Sequence, residues 1–244
     1  MDRRSCQSLL KAILTGFFCF YYAALKAQSS GADSSIYSAA VSNAISAYDS
    51  LKKGLNAGIY NGIEHLGYLY SIKGTPYFGP DGWQNAAVLY DGILYQNVPA
   101  KYDTVKDLLL VAHPNGYTML SLFSPRVDSF SFAGHRFFYW DNKKDLAPGF
   151  YELLQEGKVS ILAKRVTKIE ENILAPERGE RFDPADEFYA EKDGRYYRVR
   201  SEKAILALFP EKAKEAHRYL KSAKIRFKKN QEKAILRLAE FYNR

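Results

Sequence analysis

The 244-residue chain carries 35 Lys and Arg against 27 Asp and Glu, a net charge of +8, with 47% hydrophobic residues and two cysteines. Both cysteines, Cys6 and Cys19, fall among the first 27 residues. Without that segment the chain, about 215 residues long, has no thiol for disulfides, thiolate catalysis or Cys-based metal sites, and is long enough to be held by its core as one domain with an appendage.

Arg3, Arg4 and Lys11 precede an uncharged run from Ala12 to Leu25, the order of a charged n-region and an apolar h-region. A run of about 14 residues falls short of the ~20 that a membrane-spanning helix needs. Residues 1–27 therefore read as a cleaved signal peptide, with Ala27 before the cut and Gln28 as the new N-terminus. An uncleaved N-terminal anchor is the alternative, and a lipid at Cys19 is disfavoured by the bulky Phe17 and Phe18 before it. The reading places the protein in the periplasm, on the outer membrane or outside the cell, with no permanent transmembrane span.

Residues 28–58 supply a small, polar stretch and then a helix. In the latter, Ile36, Ala40, Val41, Ala44, Ile45, Tyr48 and Leu51 recur at spacings of three and four, with Ser34 or Ser35 as cap.

From 59 to 200 short apolar runs alternate with Gly and with Asn-Gly or Asp-Gly pairs, the pattern of antiparallel strands and hairpins. A two-residue turn at Asp91-Gly92 predicts Tyr90 opposite Ile93 and Val88 opposite Tyr95, with Leu89 and Leu94 on the other face and both faces covered. A turn at Glu156-Gly157 predicts Leu154 opposite Val159 and Glu152 opposite Ile161. A third, at Asp193-Gly194, predicts Ala190 opposite Tyr197 and Phe188 opposite Val199, at the edge of the body with Tyr189, Glu191, Tyr196 and Arg198 on its wetter face. Further strands are expected at 107–112, 117–123, 126–132 and 135–140, with a turn at His113-Pro114-Asn115-Gly116. Residues 172–186, with Pro176, Gly179 and Pro184 among charges, read as a loop.

Residues 201–244 turn helical. Ser201 caps a first helix with Ile205, Leu206 and Phe209; Pro210 opens a second with Ala213, Ala216, Leu220 and Ala223; Asn230 caps a third with Ile235, Leu238, Ala239 and Tyr242. The expected fold is therefore α+β, mostly antiparallel β (a sandwich or partly open barrel), with an N-terminal helix and a basic helical tail docked on the body.

Several short stretches, among them Tyr60-Asn61-Gly62, Pro76-Tyr77-Phe78, Val88-Leu89-Tyr90-Asp91-Gly92, Gly149-Phe150-Tyr151 and Tyr196-Tyr197-Arg198-Val199-Arg200, resemble an uncharacterised family of secreted or envelope proteins from Bacteroidetes-type bacteria. The resemblance implies an envelope or extracellular site and a β body with helices behind it. It carries no activity and no catalytic residues.

Chemical motifs are sparse. His65, His113, His135 and His217 do not stand at a metal-ligand spacing, no G-x-S-x-G elbow is present, and Gly54, Gly58 and Gly62 do not follow a strand as a phosphate loop would. No nucleotide cofactor or metal is expected. Asp91, Asp103 and Asp107, with Glu64 and Asp141, are candidates for the paired carboxylates of glycoside hydrolysis, but as residues of turns and strand ends they also read as structural. The aromatic residues Trp83, Tyr90, Tyr95, Tyr102, Phe137, Phe138, Tyr139 and Trp140 suit either a core or a sugar-stacking surface.

Charge is concentrated in the tail: residues 201–244 hold twelve Lys and Arg against five Glu, a net +7, while 28–200 is near −2. Lys221, Lys224, Arg226, Lys228 and Lys229 alternate with Ile225 and Phe227 and suit an anionic polymer; nucleic acid is not expected of an exported protein without a base-stacking motif. The reading is an exported interaction or scaffold module whose partner is an envelope protein or anionic glycan, against the alternative of a hydrolase of an extracellular polymer.

Overall fold

Alternating burial along successive short strands organises the protein into one large antiparallel sheet and a small second one. A computed structural model describes residues 41, 57–141, 146–172 and 179–244. The expected signal peptide and, Val41 aside, the expected helix at 36–51 lie outside the described residues. The stretch from Asn56 to Arg244 forms one compact unit.

The strands are β1 (Ile63–Glu64), β2 (Gln84–Tyr90), β3 (Ile93–Asp103), β4 (Leu108–Ala112), β5 (Met119–Ser121), β6 (Val127–Phe132) and β7 (His135–Trp140). They are followed by β8 (Gly149–Gln155), β9 (Ser160–Lys164), β10 (Thr167–Asn172), β11 (Gly179–Pro184), β12 (Glu187–Lys192) and β13 (Arg195–Arg198). Eleven of them form a sheet in the order β1-β5-β4-β3-β2-β6-β7-β8-β9-β12-β13, and β10 pairs with β11 alone. The ladder is open, since β1 and β13 stand at its two ends.

At Asp91-Gly92, φ angles of +52° and +72° give the turn that a two-residue hairpin requires. The observed pairs are Tyr90 with Ile93, Leu89 with Leu94 and Val88 with Tyr95, as the alternation predicts. The hairpin at Asp193-Gly194 likewise pairs Ala190 with Tyr197, and Val199 N–H donates to the Phe188 carbonyl at 2.8 Å.

Three expectations for the strands fail. Glu152 stands opposite Ala163 rather than Ile161, Leu153 opposite Leu162, and a bulge precedes the pair of Gln155 with Ile161. The connection is longer than two residues because Asn243, at the far end of the chain, takes both backbone groups of Val159, at 2.9 and 3.0 Å, out of the hairpin ladder. The expected loop at 172–186 contains β11 instead, paired with β10 from Thr167 opposite Pro184 to Asn172 opposite Gly179. Its Phe182 is the one buried side chain among charged neighbours, which left no alternation to read. In the first hairpin, too, the outward face is less covered than expected, with Leu94 58% exposed.

The sheet is strongly bent. Tyr102 on β3 and Phe150 on β8 have β2, β6 and β7 between them, about 19 Å on a flat sheet at ~4.8 Å per strand, yet their rings meet at 5.9 Å. The concave face so formed carries Val88, Tyr102, Leu109, Phe130, Phe137 and Phe150 in one buried cluster. The same face continues over β9 and β12, where Ile161, Ala163, Phe188 and Ala190 meet the helices α1 (Glu202–Leu206), α2 (Ala213–Ser222) and α3 (Gln231–Asn243). Burial of Ile205, Ala216, Leu220, Ile235, Leu238 and Tyr242 in that cluster explains the apolar stripes of the tail. Ser201 caps α1, its side chain accepting from Ala204 N–H at 3.2 Å. Asn230 precedes α3 without a side-chain cap, and only its carbonyl engages the helix, accepting from Ala234 N–H at 2.9 Å.

Candidate functional site

Among the described residues, three of the carboxylates singled out in the sequence are taken up by protein partners and two stand exposed at strand ends. Asp91, in the turn of the first hairpin, pairs with Arg126 Nε, just ahead of β6, at 2.7 Å. Asp103 is fully buried. Its carboxylate accepts from Tyr68 OH at 2.8 and 2.9 Å and from the turn amides of Val105 and Lys106 at 2.9 and 3.0 Å. Asp107 accepts from Tyr102 OH at 2.7 Å, from Lys164 Nζ at 2.8 Å and, more loosely, from Phe150 N–H. It thereby ties the β3–β4 turn to β8 and β9. Glu64 and Asp141 are exposed at strand ends.

Electrostatics follow this use. Burial, the hydrogen bond to Asp103 and the charge of that carboxylate all hold the Tyr68 phenol well above its usual value. Burial raises Tyr102 likewise, with Asp107 adding to it. His65 lies 3.4 Å from Asp103 and is pushed below its ordinary value, first by burial and then by Lys106, against the opposing pull of Asp103. These are acids held protonated and a histidine held neutral, which is how buried polar groups are accommodated.

A cluster with no sequence signal sits where β8, β9 and α3 meet. Arg165, 6% exposed, reaches Glu152 through Nε at 2.6 Å and, through one terminal nitrogen, Asp186 at 2.6 Å and Glu232 at 2.7 Å. Glu152 also takes His135 Nδ1 at 2.5 Å. Burial alone would favour deprotonated Arg165, but the bonds to Glu232 and Asp186 outweigh it and hold the guanidinium above its usual value. No run or repeat marks these residues, because each is a single charge on a different stretch of the chain. The remaining histidines do other work: His113 Nδ1 accepts the Asn115 amide in its turn, and His217 pairs with Glu202 at the surface. Among the described residues no group of three or more His, Cys, Asp or Glu is placed to hold a metal, and no helix is long and apolar enough to cross a membrane.

The aromatic candidates divide. Tyr90, Tyr95, Tyr102 and Phe137 are core, whereas Trp83 is 40% exposed, its ring covered by Lys101 Nζ at 5.0 Å. Phe138, Tyr139 and Trp140 are half-buried.

The basic segment is organised by its apolar members. Leu220 and Phe227 are buried and Ile225 half-buried, while Lys221, Lys224, Arg226, Lys228 and Lys229 are all exposed. Helix α2 closes with Lys224 N–H donating to the Lys221 carbonyl and Ile225 N–H to that of Leu220; Lys229 and Asn230 N–H then both donate to the Arg226 carbonyl. Among the described residues none of the five cations is ion-paired. Lys224 adopts φ +54°, a left-handed position that favours glycine after a helix. Lys224→Gly is therefore expected to raise stability by about 1 kcal/mol; a lower urea midpoint for the variant would show that the lysine stem contributes more than its backbone costs.

No family model matches the chain, and no curated protein or solved structure matches it either.

Proposed function

We propose that this protein is an exported, non-enzymatic interaction module of a cell envelope that holds an anionic polymer on the turn between α2 and α3. The observation that carries the reading is that turn: buried Leu220 and Phe227 anchor it, and five exposed cations, Lys221 at the end of α2 and four beyond it, have no ion pair among the described residues. Twelve basic residues against five acidic ones in residues 201–244, beside a nearly neutral 28–200, concentrate positive potential there. A glycan or lipopolysaccharide rich in sulfate, phosphate or carboxylate groups supplies the complementary charge. Full engagement of Asp103, Asp107 and Glu152 by protein donors favours this over the hydrolase, which needs a carboxylate pair facing substrate.

Changing Lys224, Arg226, Lys228 and Lys229 together to Gln is expected to abolish retention on heparin at ~0.1 M salt, where the Debye length is about 10 Å, with an unchanged circular dichroism spectrum. Equal retention of variant and parent would make these cations ordinary solvated surface. Export is tested separately: expression in a Gram-negative host should give an intact mass beginning at Gln28, and mature material that retains residues 1–27 would contradict it.

A further inference from the structure

The convex face of the sheet, opposite the buried aromatic cluster, carries a trough whose origin lies in side-chain size. On that face β2 and β6 present Ala87, Ser129 and Ser131, while their neighbours present Leu94, Phe138, Arg136 and Leu153, so a low floor runs between taller walls. One end is apolar, about 280 Å³ in volume, walled by Leu89, Leu94, Phe138 and Leu153. It shares Ala87, Ser131 and Arg136 with a second, polar hollow of about 470 Å³.

The polar end is built by a backbone irregularity. Ala86 pairs with Val98 and Val88 with Tyr95, so Gln96 and Asn97 together stand opposite Ala87. Asn97 takes φ +55°. This bulge brings both amide side chains into the rim of the hollow beside Asn85, His135 and Arg136. His135 borders the hollow with its ring turned to the concave side of the sheet, where it meets Glu152, itself 2% exposed, at 2.5 Å and the Phe78 ring at 4.8 Å. Among the described residues no carboxylate lines either hollow, and exposed Arg136 has no carboxylate partner.

We propose that this trough binds a short acidic oligosaccharide, with the acid group on Arg136, hydroxyls on the amides of Asn85, Gln96 and Asn97, and a sugar C–H face against Phe138 and the leucines. A guanidinium meets a carboxylate through two parallel hydrogen bonds, and side-chain amides donate and accept at once, as vicinal hydroxyls require. The depth decides the class of ligand. A shallow open trough would leave an acyl chain half in water, whereas an apolar ligand calls for a site that encloses most of its surface; a sugar keeps its outer hydroxyls hydrated. The site lies on the opposite face from the tail helices and does not rest on the cationic turn.

The test uses the whole chain with tetragalacturonate as probe and neutral cellotetraose as control, followed by titration calorimetry. Tetragalacturonate should bind saturably. Arg136→Gln, at an exposed position, should weaken it at least tenfold, and Ser131→Phe, which fills the floor, should abolish it. The fourfold Gln variant of the cationic turn should bind within twofold of the parent, and cellotetraose at least tenfold more weakly. The proposal is overturned if tetragalacturonate gives no saturable heat, if Arg136→Gln or Ser131→Phe binds as the parent does, if cellotetraose binds equally well, or if the turn variant loses binding.

Discussion

Replacing Arg165 with alanine should remove about 3–5 kcal/mol of folding stability, the effect of stripping the partner from a buried charge. Glu152 is 2% exposed. Its remaining bond would be to His135. Asp186 and Glu232 would lose the same guanidinium, and with it a link between the strands and the first turn of α3. Urea denaturation with the midpoint and slope fitted separately measures the loss. If charge isolation is the cause, Arg165→Met combined with Glu152→Gln should be less destabilised than the arginine variant alone, because the buried charge goes with its partner. A double variant as unstable as the sum of its parts would assign the loss to packing. Arg165 also lies over the Phe78 ring at 5.1 Å, so some packing loss is expected in both variants.

Gly149→Ala should have an effect of about 3 kcal/mol, from overpacking added to backbone strain. Gly149 has φ +140° at the start of β8, and a Cβ there would stand 2.0 Å from Asp107 Oδ2 and 2.3 Å from Lys164 Nζ. Neither can simply retreat, since Asp107 also receives Tyr102 OH and Lys164 covers the Tyr151 ring at 4.8 Å. Gly194→Ala is the control. It has φ +73° with nothing within 4 Å of the added carbon, so only conformational strain, about 1 kcal/mol, should appear. Equal losses at the two sites would mean that the ion pair yields freely.

How far the sequence discloses this structure depends on the range over which each feature is decided. The hairpins at Asp91-Gly92 and Asp193-Gly194 are legible because two residues dictate the turn and strict alternation dictates the faces. The hairpin after Glu156 misleads, since Asn243, 84 positions away in the chain, sets its register. Strands β10 and β11 are hidden because their outward positions are charged and β11 contributes little but Phe182 to the interior. Of the sites, the cationic turn is visible as a charge run, and Leu220 as part of a helical stripe, because a helical period and a composition shift are local properties, whereas the burial of Phe227 beneath the turn is not read from the sequence. The Arg165 cluster is not visible, being drawn from separate stretches of the chain. Asp103 and Asp107 are visible as acidic residues, yet Asp107 finds Phe150 and Lys164 only through the bend of the sheet that brings β3 against β8, and Asp103 finds Tyr68 from a distant stretch of the chain.

The proposed function rests on ion pairing at the α2–α3 turn, and the salt dependence of heparin affinity tests it most directly. Each cation that displaces a counterion adds to the slope of log affinity against log salt, by roughly 0.7 to 0.9 on nucleic-acid polyanions. Five exposed cations at the turn therefore predict a steep fall in affinity between about 50 and 200 mM salt, with a slope of magnitude about 3.5 to 4.5. The variant with Lys224, Arg226, Lys228 and Lys229 changed to Gln should retain a slope of magnitude no greater than about 1. A parent whose affinity is unchanged over that range, or a variant that keeps the parent slope, would contradict the assignment of this turn as the binding surface.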